Sequence, residues 1–448
     1  MKKIYLLLSC LLSSSALATT LPEALAHTYQ NNPDLIAARE ELKKTDEAMY
    51  KAISGFLPKL DYEAKQSNAK YDTYGGIKQD TWINYKYKHS NLALEHNLFN
   101  GGRDVLSIKM AKYTIESGKA TLISKEQDIL FKAIGIYLDI IYDQLKVDIN
   151  KENVQAYQKK YKSIEDKFNA GFVREADLAN ALSRKSDAET NLIDALGKQS
   201  SDLATYNQII GLEAENLKLE SNLSEVPANQ AELLNNSLKN NPELKKTLFK
   251  EKAANLTVKY NAAALLPNVD LGGKLIKQWD TNSLKTGIPP YTNKKEIYVS
   301  VKVPLYNRGV EYSNTRYSKA DAAKSKYDLK NIKSLTTQKA TQAWNEYLTA
   351  KEMVKSSQDS VKAGTLALAG KQREYEEGQI SLTELLELQE NIFKYKLKLA
   401  EVTKNLEFKI YNMAYVMGKL TAKDLKLPTG IYNASENYDK VKIKLIGF

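Results

Sequence analysis

Apolar residues recur along this chain with two different periods. From residue 103 to 169, and again from 309 to 376, the pattern is helical and no proline interrupts it. From Ile129 the positions 129, 133, 136, 140, 143, 147, 150, 154, 157, 161, 164 and 168 step alternately by four and three. Ten of these twelve are apolar, Asp143 and Asn150 being the exceptions, and a seam of this kind predicts a coiled-coil partner rather than a globular core. At about 1.5 Å per residue each long segment would extend about 100 Å. The equivalent seam in the second segment has eight of twelve apolar positions, several of them only Ala, which permits close helix approach. Elsewhere the period is two. Ile297, Val299, Val301, Val303 and Leu305 alternate with Tyr298, Ser300, Lys302, Pro304 and Tyr306, as in a strand with one face in lipid or core. Residues 82–89 alternate likewise, and the phase then shifts to Leu92 and Leu94, which predicts a bulge or bend. Residues 60–71 and 269–279 are the less regular partner strands, joined to these by polar loops at 72–81 and 280–295.

The order of elements occurs twice. Asn31-Asn32-Pro33-Asp34-Leu35 returns as Asn240-Asn241-Pro242-Glu243-Leu244, and Phe56-Leu57-Pro58 as Leu265-Leu266-Pro267, both 209 residues later. Leu98-Phe99-Asn100-Gly101-Gly102 matches Leu305-Tyr306-Asn307-Arg308-Gly309, Phe168-x-x-Gly171 matches Tyr375-x-x-Gly378, and Gly211 matches Gly418, all at 207. The chain is therefore read as a tandem duplication: a first repeat over 19–226, a second over 227–420, and a C-terminal tail over 421–448. Each repeat holds a helical segment (23–55, 231–264), a β-hairpin (59–99, 268–306), a long helix (103–169, 309–376), a Gly turn and a shorter helix (174–210, 381–417).

Composition narrows the class. A hydrophobic fraction of 43% and mean hydropathy of −0.47 exclude a bundle of membrane-spanning helices. They leave a β-barrel open, because alternating strands average to moderate polarity. The net charge of +11 comes from interspersed residues, so no nucleic-acid surface is indicated. There are 28 Tyr beside 9 Phe and 3 Trp, a bias that suits surfaces part apolar and part wet. Residues 1–18 have the form of a signal peptide, with Lys2 and Lys3, an apolar stretch from Ile4 to Leu12, and cleavage expected after Ala18. Leu7-Leu8-Ser9-Cys10 has a lipoprotein-like outline. Only six residues separate Lys3 from Cys10, however, and apolar residues continue past it, so plain cleavage is the expectation. The mature chain then has no cysteine, and its only histidines are His27, His89 and His96. Zinc sites of the usual Cys/His kinds and Cys or Ser–His catalysis lack their parts, and no phosphate-binding glycine motif occurs. No enzyme and no cofactor is expected. Four strands cannot close a barrel, so spanning strands would require symmetric oligomers.

In the order and spacing of Asn31-Asn32-Pro33, Leu57-Pro58, Leu98-Phe99-Asn100-Gly101-Gly102, Val303-Pro304-Leu305-Tyr306-Asn307 and Tyr375-x-x-Gly378, the chain resembles the TolC-type outer-membrane channels of Gram-negative efflux pumps and type I secretion systems. The resemblance spans about residues 20–418. It implies an α+β membrane protein: a homotrimer with a twelve-stranded β-barrel, four strands per chain, and a long α-helical coiled-coil periplasmic tunnel. It also implies a tip that partner proteins open. Those partners are a periplasmic adaptor and an inner-membrane pump or ABC transporter, with outer-membrane lipid around the barrel. The implied function is a passive exit duct for drugs or polypeptides; the alternative is a soluble periplasmic coiled-coil adaptor or scaffold.

By the same resemblance the periplasmic pore mouth falls at Glu384 and Glu387, which would form acidic rings selecting cations. From the residues alone, Ser381-Leu382-Thr383-Glu384 is a capping box and Glu387 a solvated acid on the same helix face. Asp177 and Tyr375 match the family's tip-closing links, and Gly171 and Gly378 its tip turns. The family's linking Arg is replaced by Ile380, with Arg174 and Lys371 the neighbouring cations. Trp82, Tyr85, Tyr87, Trp279 and Tyr298 are expected in a barrel aromatic girdle.

Overall fold

The computed structural model describes residues 20–72, 82–214, 217–218, 226–280, 291–442 and 444. The signal segment expected over 1–18 lies outside the described residues, as do the hairpin connections 73–81 and 281–290. The elements run α1 (Leu21–Asn31), α2 (Pro33–Ile53), β1 (Lys59–Asp72), β2 (Trp82–Asn100), α3 (Arg103–Asn169) and α4 (Glu175–Ile210). The same order then recurs as α5 (Gln230–Asn240), α6 (Pro242–Ala262), β3 (Asn268–Asp280), β4 (Tyr291–Lys302), α7 (Val310–Glu376) and α8 (Leu382–Val416). A short α9 (Glu436–Val441) lies in the tail. Both long helices, α3 and α7, have 67 residues.

The first helical segment of each repeat is two helices, not the single one the pattern predicts. The break falls at Asn32 and at Asn241, each followed by proline. Asn32 is extended (ψ 122°), as steric contact with the following ring demands, and Pro33 restarts the helix where no N–H is needed. The asparagine side chains then do two things at once. Asn32 Oδ1 accepts from the Asp34 N–H at 3.0 Å, capping α2, while its Nδ2 donates to the Ile209 carbonyl at 3.0 Å at the end of α4. Asn241 does the same, accepting from the Leu244 N–H at 3.1 Å and donating to the Val416 carbonyl at 3.4 Å. The Asn-Asn-Pro repeat is thus a clamp that caps one helix and satisfies the last turn of another.

Two compact units are formed. The first comprises the chain up to Glu40, Ala120–Lys245 and Asn331–Asn433; the second comprises Glu41–Lys119, Lys246–Lys330 and the end of the tail. The first unit is helical. One core cluster joins Leu233 of α5 and Ala340 and Ala343 of α7 to Met413 and Val416 of α8. A second cluster, around Tyr157, Ile164, Ala181 and Leu386, lies near the turns at Gly171 and Gly378. The tail residues Leu425 and Leu427 are buried in this unit, and the Tyr432 N–H donates to the Tyr29 hydroxyl at 3.0 Å.

The second unit contains an antiparallel sheet of order β1-β2-β3-β4. Leu60 pairs with Leu94, Leu94 with Gly273, and Gly273 with Ile297, which fixes which residues share a face. The predicted bulge near residues 88–92 is absent: the β1–β2 register is continuous from Lys59 to Asp72. The phase shift is instead a change of residue type along one face, from Lys86 and Lys88 to Leu92 and Leu94. The irregularity lies between Asn97 and Phe99, where Leu98 is the extra residue. It turns Phe99 toward the face that carries Val269 and Val301. β4 starts at Tyr291, inside the expected loop, and stops at Lys302, because Pro304 cannot donate to a ladder.

Candidate functional site

In the helical unit, the turns between α3 and α4 and between α7 and α8 are built alike. Gly171 (φ +78°) and Gly378 (φ +75°) adopt the left-handed conformation that ends a helix without a Cβ clash. Behind them the Phe172 N–H donates to the Lys167 carbonyl at 2.9 Å, and the Gln379 N–H to the Glu374 carbonyl at 2.8 Å, closing both long helices in the same way.

The next helices start differently. At α8, Ser381 Oγ accepts from the Glu384 N–H at 3.2 Å, one half of the expected capping box. The other half is missing: the Glu384 carboxylate turns to Lys371 Nζ, 3.3 Å away, across the turn. Lys371 also holds Glu374 at 2.8 Å, and these two acids raise its pKa. Glu387 is exposed and makes no hydrogen bond or ion pair among the described residues. At α4, Asp177 caps its own helix by accepting from the Arg174 N–H at 3.3 Å, and Arg174 Nε lies 3.3 Å from the same oxygen. Tyr375 packs on the Tyr157–Ile164 cluster beneath Lys160 and Lys167, whose ammonium groups lie 4.4 and 5.5 Å from its ring centre. Burial, and then the charge of Lys167, lower the Lys160 pKa.

Asp177 and Tyr375 are therefore engaged separately and no bond joins them within the protomer. The contacts that tie α4 to α8 are others. Arg184 pairs with Glu390, and Asn180 Nδ2 donates to Thr383 Oγ1 at 3.3 Å. From α3, the Tyr157 hydroxyl reaches the Leu386 carbonyl at 3.4 Å. Arg184 escaped the sequence reasoning because nothing in its own spacing marks it; its partner is more than 200 residues away.

In the other unit, the sheet separates its side chains by face. Leu60, Tyr62, Leu92, Leu94, Leu275, Ile297, Val299 and Val301 lie on one side, with Ile297 86% and Val299 63% exposed in the protomer. Asp61, Glu63, Glu95, Asp270 and Glu296 lie on the other. The girdle expectation changes accordingly. Trp279 is on the apolar face, 5.8 Å from Tyr291 across the strand pair. Tyr87 and Tyr298 are on the polar face: Tyr87 stacks on His89 at 5.8 Å, and the Tyr298 ring covers Gly272, filling the space where a Cβ would lie. Their odd-and-even placement relative to Ile297 and Leu92 excludes them from the apolar side. The side chains of Trp82 and Tyr85 lie outside the described residues.

The model of a family described as outer membrane efflux protein matches residues 24–212 and 233–412, which straddle the two repeats. The chain is 24% identical to the outer membrane efflux protein BepC of Brucella suis biovar 1, over 98% of this chain and 93% of that one. The fold is similar to the Campylobacter jejuni CmeC outer membrane channel, with TM-score 0.79 and 17% identity over 94% of this chain and 89% of that one. It is also similar to the open state of the Neisseria gonorrhoeae MtrE outer membrane channel, with TM-score 0.73 and 15% identity over 89% and 88%. A soluble scaffold finds no support among these relatives.

Proposed function

The chain belongs to the outer membrane efflux protein family, and from that premise we propose that three copies build a twelve-stranded barrel in the outer membrane together with a helical periplasmic duct. The sheet carries this reading. It has one apolar face and two free edges, β1 and β4. Free edges are not tolerated in hydrocarbon, and the smallest membrane barrels have about eight strands. Further copies must supply the rest, and three give twelve. The duct is passive, is no enzyme and holds no cofactor. A periplasmic adaptor and an inner-membrane pump or transporter supply the energy and the cargo. Cleavage after Ala18 would release the mature chain for export to this membrane.

Within the duct, Glu384 and Glu387 are the acids we assign to the periplasmic pore mouth, with Asp177 and Tyr375 in the surrounding tip contacts. The exposure of Glu387 and its lack of a partner among the described residues support its part. Glu384 is half committed to Lys371, so its ring would be the weaker of the two. Fractionation should find heat-modifiable trimers in the membrane, and release as a soluble species would overturn the reading. In planar bilayers Glu387→Gln should reduce cation preference and divalent block more than Glu384→Gln does. Unchanged selectivity in the double variant would remove both residues from the pore.

A further inference from the structure

The apolar face of the sheet changes character toward its hairpin-loop end. Reading each strand outward, Leu92 is followed on the same face by Ser90 and Lys88, Leu275 by Lys277 and Trp279, and Ile297 by Lys295, Asn293 and Tyr291. The pairings Ser90–Lys277, Lys88–Trp279 and Leu275–Lys295 make Lys88, Lys277 and Lys295 successive diagonal neighbours. Diagonal neighbours in a sheet are about 7–8 Å apart. All three lysines are exposed, and none has an ion-pair partner among the described residues.

On the opposite face three of the five lysines with described side chains are matched. Lys59 lies 2.6 Å from Asp61, Lys294 lies 2.9 Å from Glu296, and Lys274 lies 5.3 Å from the Tyr298 ring centre. Every acid among the sheet's described side chains belongs to that face. Three like charges in a diagonal row with no counter-charge repel one another unless an anion lies between them. The row runs from Lys88, in register with Trp279 of the Trp279–Tyr291 pair, where aromatic side chains mark a membrane interface, to Lys295, in register with Leu275 at the edge of the apolar band.

We infer that Lys88, Lys277 and Lys295 form a binding row for the phosphate groups of an anionic membrane lipid in the loop-side leaflet, with the lipid's acyl chains against Leu92, Leu275 and Ile297. This rests on the proposal above that the apolar face lies in the outer membrane. The chemistry is that of a juxtamembrane basic cluster, where each lysine adds attraction for a negatively charged headgroup and the attraction weakens with salt. The row is shaped for more than one phosphate, since its three ammonium groups are spaced along a line rather than gathered at a point.

The test uses the assembled, detergent-purified protein, native mass spectrometry and diphosphoryl lipid A as the probe. Matched arms contain the same glycolipid without phosphates, or inorganic phosphate alone. Lys88→Gln/Lys277→Gln/Lys295→Gln should retain the diphosphorylated lipid at least tenfold less than wild type, whereas Lys274→Gln on the polar face should retain it normally. Wild type should bind the phosphate-free glycolipid weakly and should show no uptake of inorganic phosphate. Equal retention by wild type and the triple variant overturns the proposal, as does equal retention of both glycolipids. Heat-modifiable assembly on gels checks that the triple variant is folded. If wild type itself fails to partition with membranes, the reading of the sheet as lipid-embedded fails; normal insertion with lysine-independent lipid retention defeats this inference alone.

Discussion

Helices α3 and α7 have the same length and equivalent places in the two repeats, yet the protomer treats them differently. Ten of the twelve seam positions of α3 are buried by the chain's own packing, including Asp143 and Asn150; Tyr161 and Phe168 are partly covered. Of the twelve equivalents in α7, only Thr336, Ala340, Ala343, Ala350 and Gly364 are buried. Large apolar residues of α7 remain outside: Leu335 and Met353 on one line, Leu348 and Leu366 on another, each pair separated by eighteen residues, or five turns. The two lines are about 140° apart around the helix at about 100° per residue. A helix that buries small residues against its own chain and shows large apolar residues on two other sides leaves both of those sides for neighbours to cover. Of the two long helices, α3 gives more of its seam to the protomer's core and α7 leaves more of its own uncovered.

The largest effect should follow from breaking the α3 side. Ile134 is fully buried, and Ile134→Ala removes three carbons from a packed position and leaves a cavity there. A loss of about 2–5 kcal/mol is expected, read as a lower melting temperature and poor recovery of the protein from membranes. Retained stability would show that α3 is not the core helix its burial indicates.

The same kind of change on α7 should separate folding from assembly. Leu366 is 77% exposed and Leu348 lies on the same line. Leu348→Ser with Leu366→Ser should leave the protomer's stability within about 0.5 kcal/mol per site, with helical content unchanged by circular dichroism. Heat-modifiable oligomers should be largely lost. Intact oligomers in the double variant would mean that these leucines face water, and the contrast between the helices would then lose its explanation.

What could be read in advance follows the same division. The α3 seam and its length were legible because local periodicity reports burial by any partner, whether in the chain or beyond it. The seam's two polar exceptions are buried too, which periodicity alone cannot say. The break at Asn32 was missed because the helical pattern runs on through it; the proline alone marks the restart, and the clamp to the Ile209 carbonyl is a tertiary contact. Tyr87 and Tyr298 were placed with the girdle on residue type, whereas register decides their face. At the tip the glycine turns were visible, since few residues tolerate their backbone. The bonds between α4 and α8, such as Arg184 with Glu390, were not, because pairs distant in sequence leave no local trace.

The finest difference between the two helices lies at one equivalent position, where α3 has Asp143 and α7 has Ala350, both buried. Asp143 is 3% exposed and its Oδ2 has no hydrogen-bond partner, while Asp202 of α4 nearby is held by Lys198 at 2.6 Å. Burial first, then the hydrogen bond and charge of Asp202, push the Asp143 carboxyl up to about 6; Lys198 opposes them and Asp139 adds to them. An acid whose folded-state pKa is raised binds its proton more tightly folded than unfolded. Its stabilising contribution is therefore full below the unfolded value near 4 and is lost as pH rises through about 6. Above that pH the ionised group weighs against the fold by on the order of 3 kcal/mol. Asp143→Asn keeps the shape and the hydrogen bonding of the protonated acid without the charge. The variant should melt higher than wild type at pH 7.5, match it near pH 4, and show a flatter dependence between them. Parallel melting curves across that range would mean that Asp143 stays ionised in its seam, and that α3 tolerates there a charge for which α7 has only a methyl group.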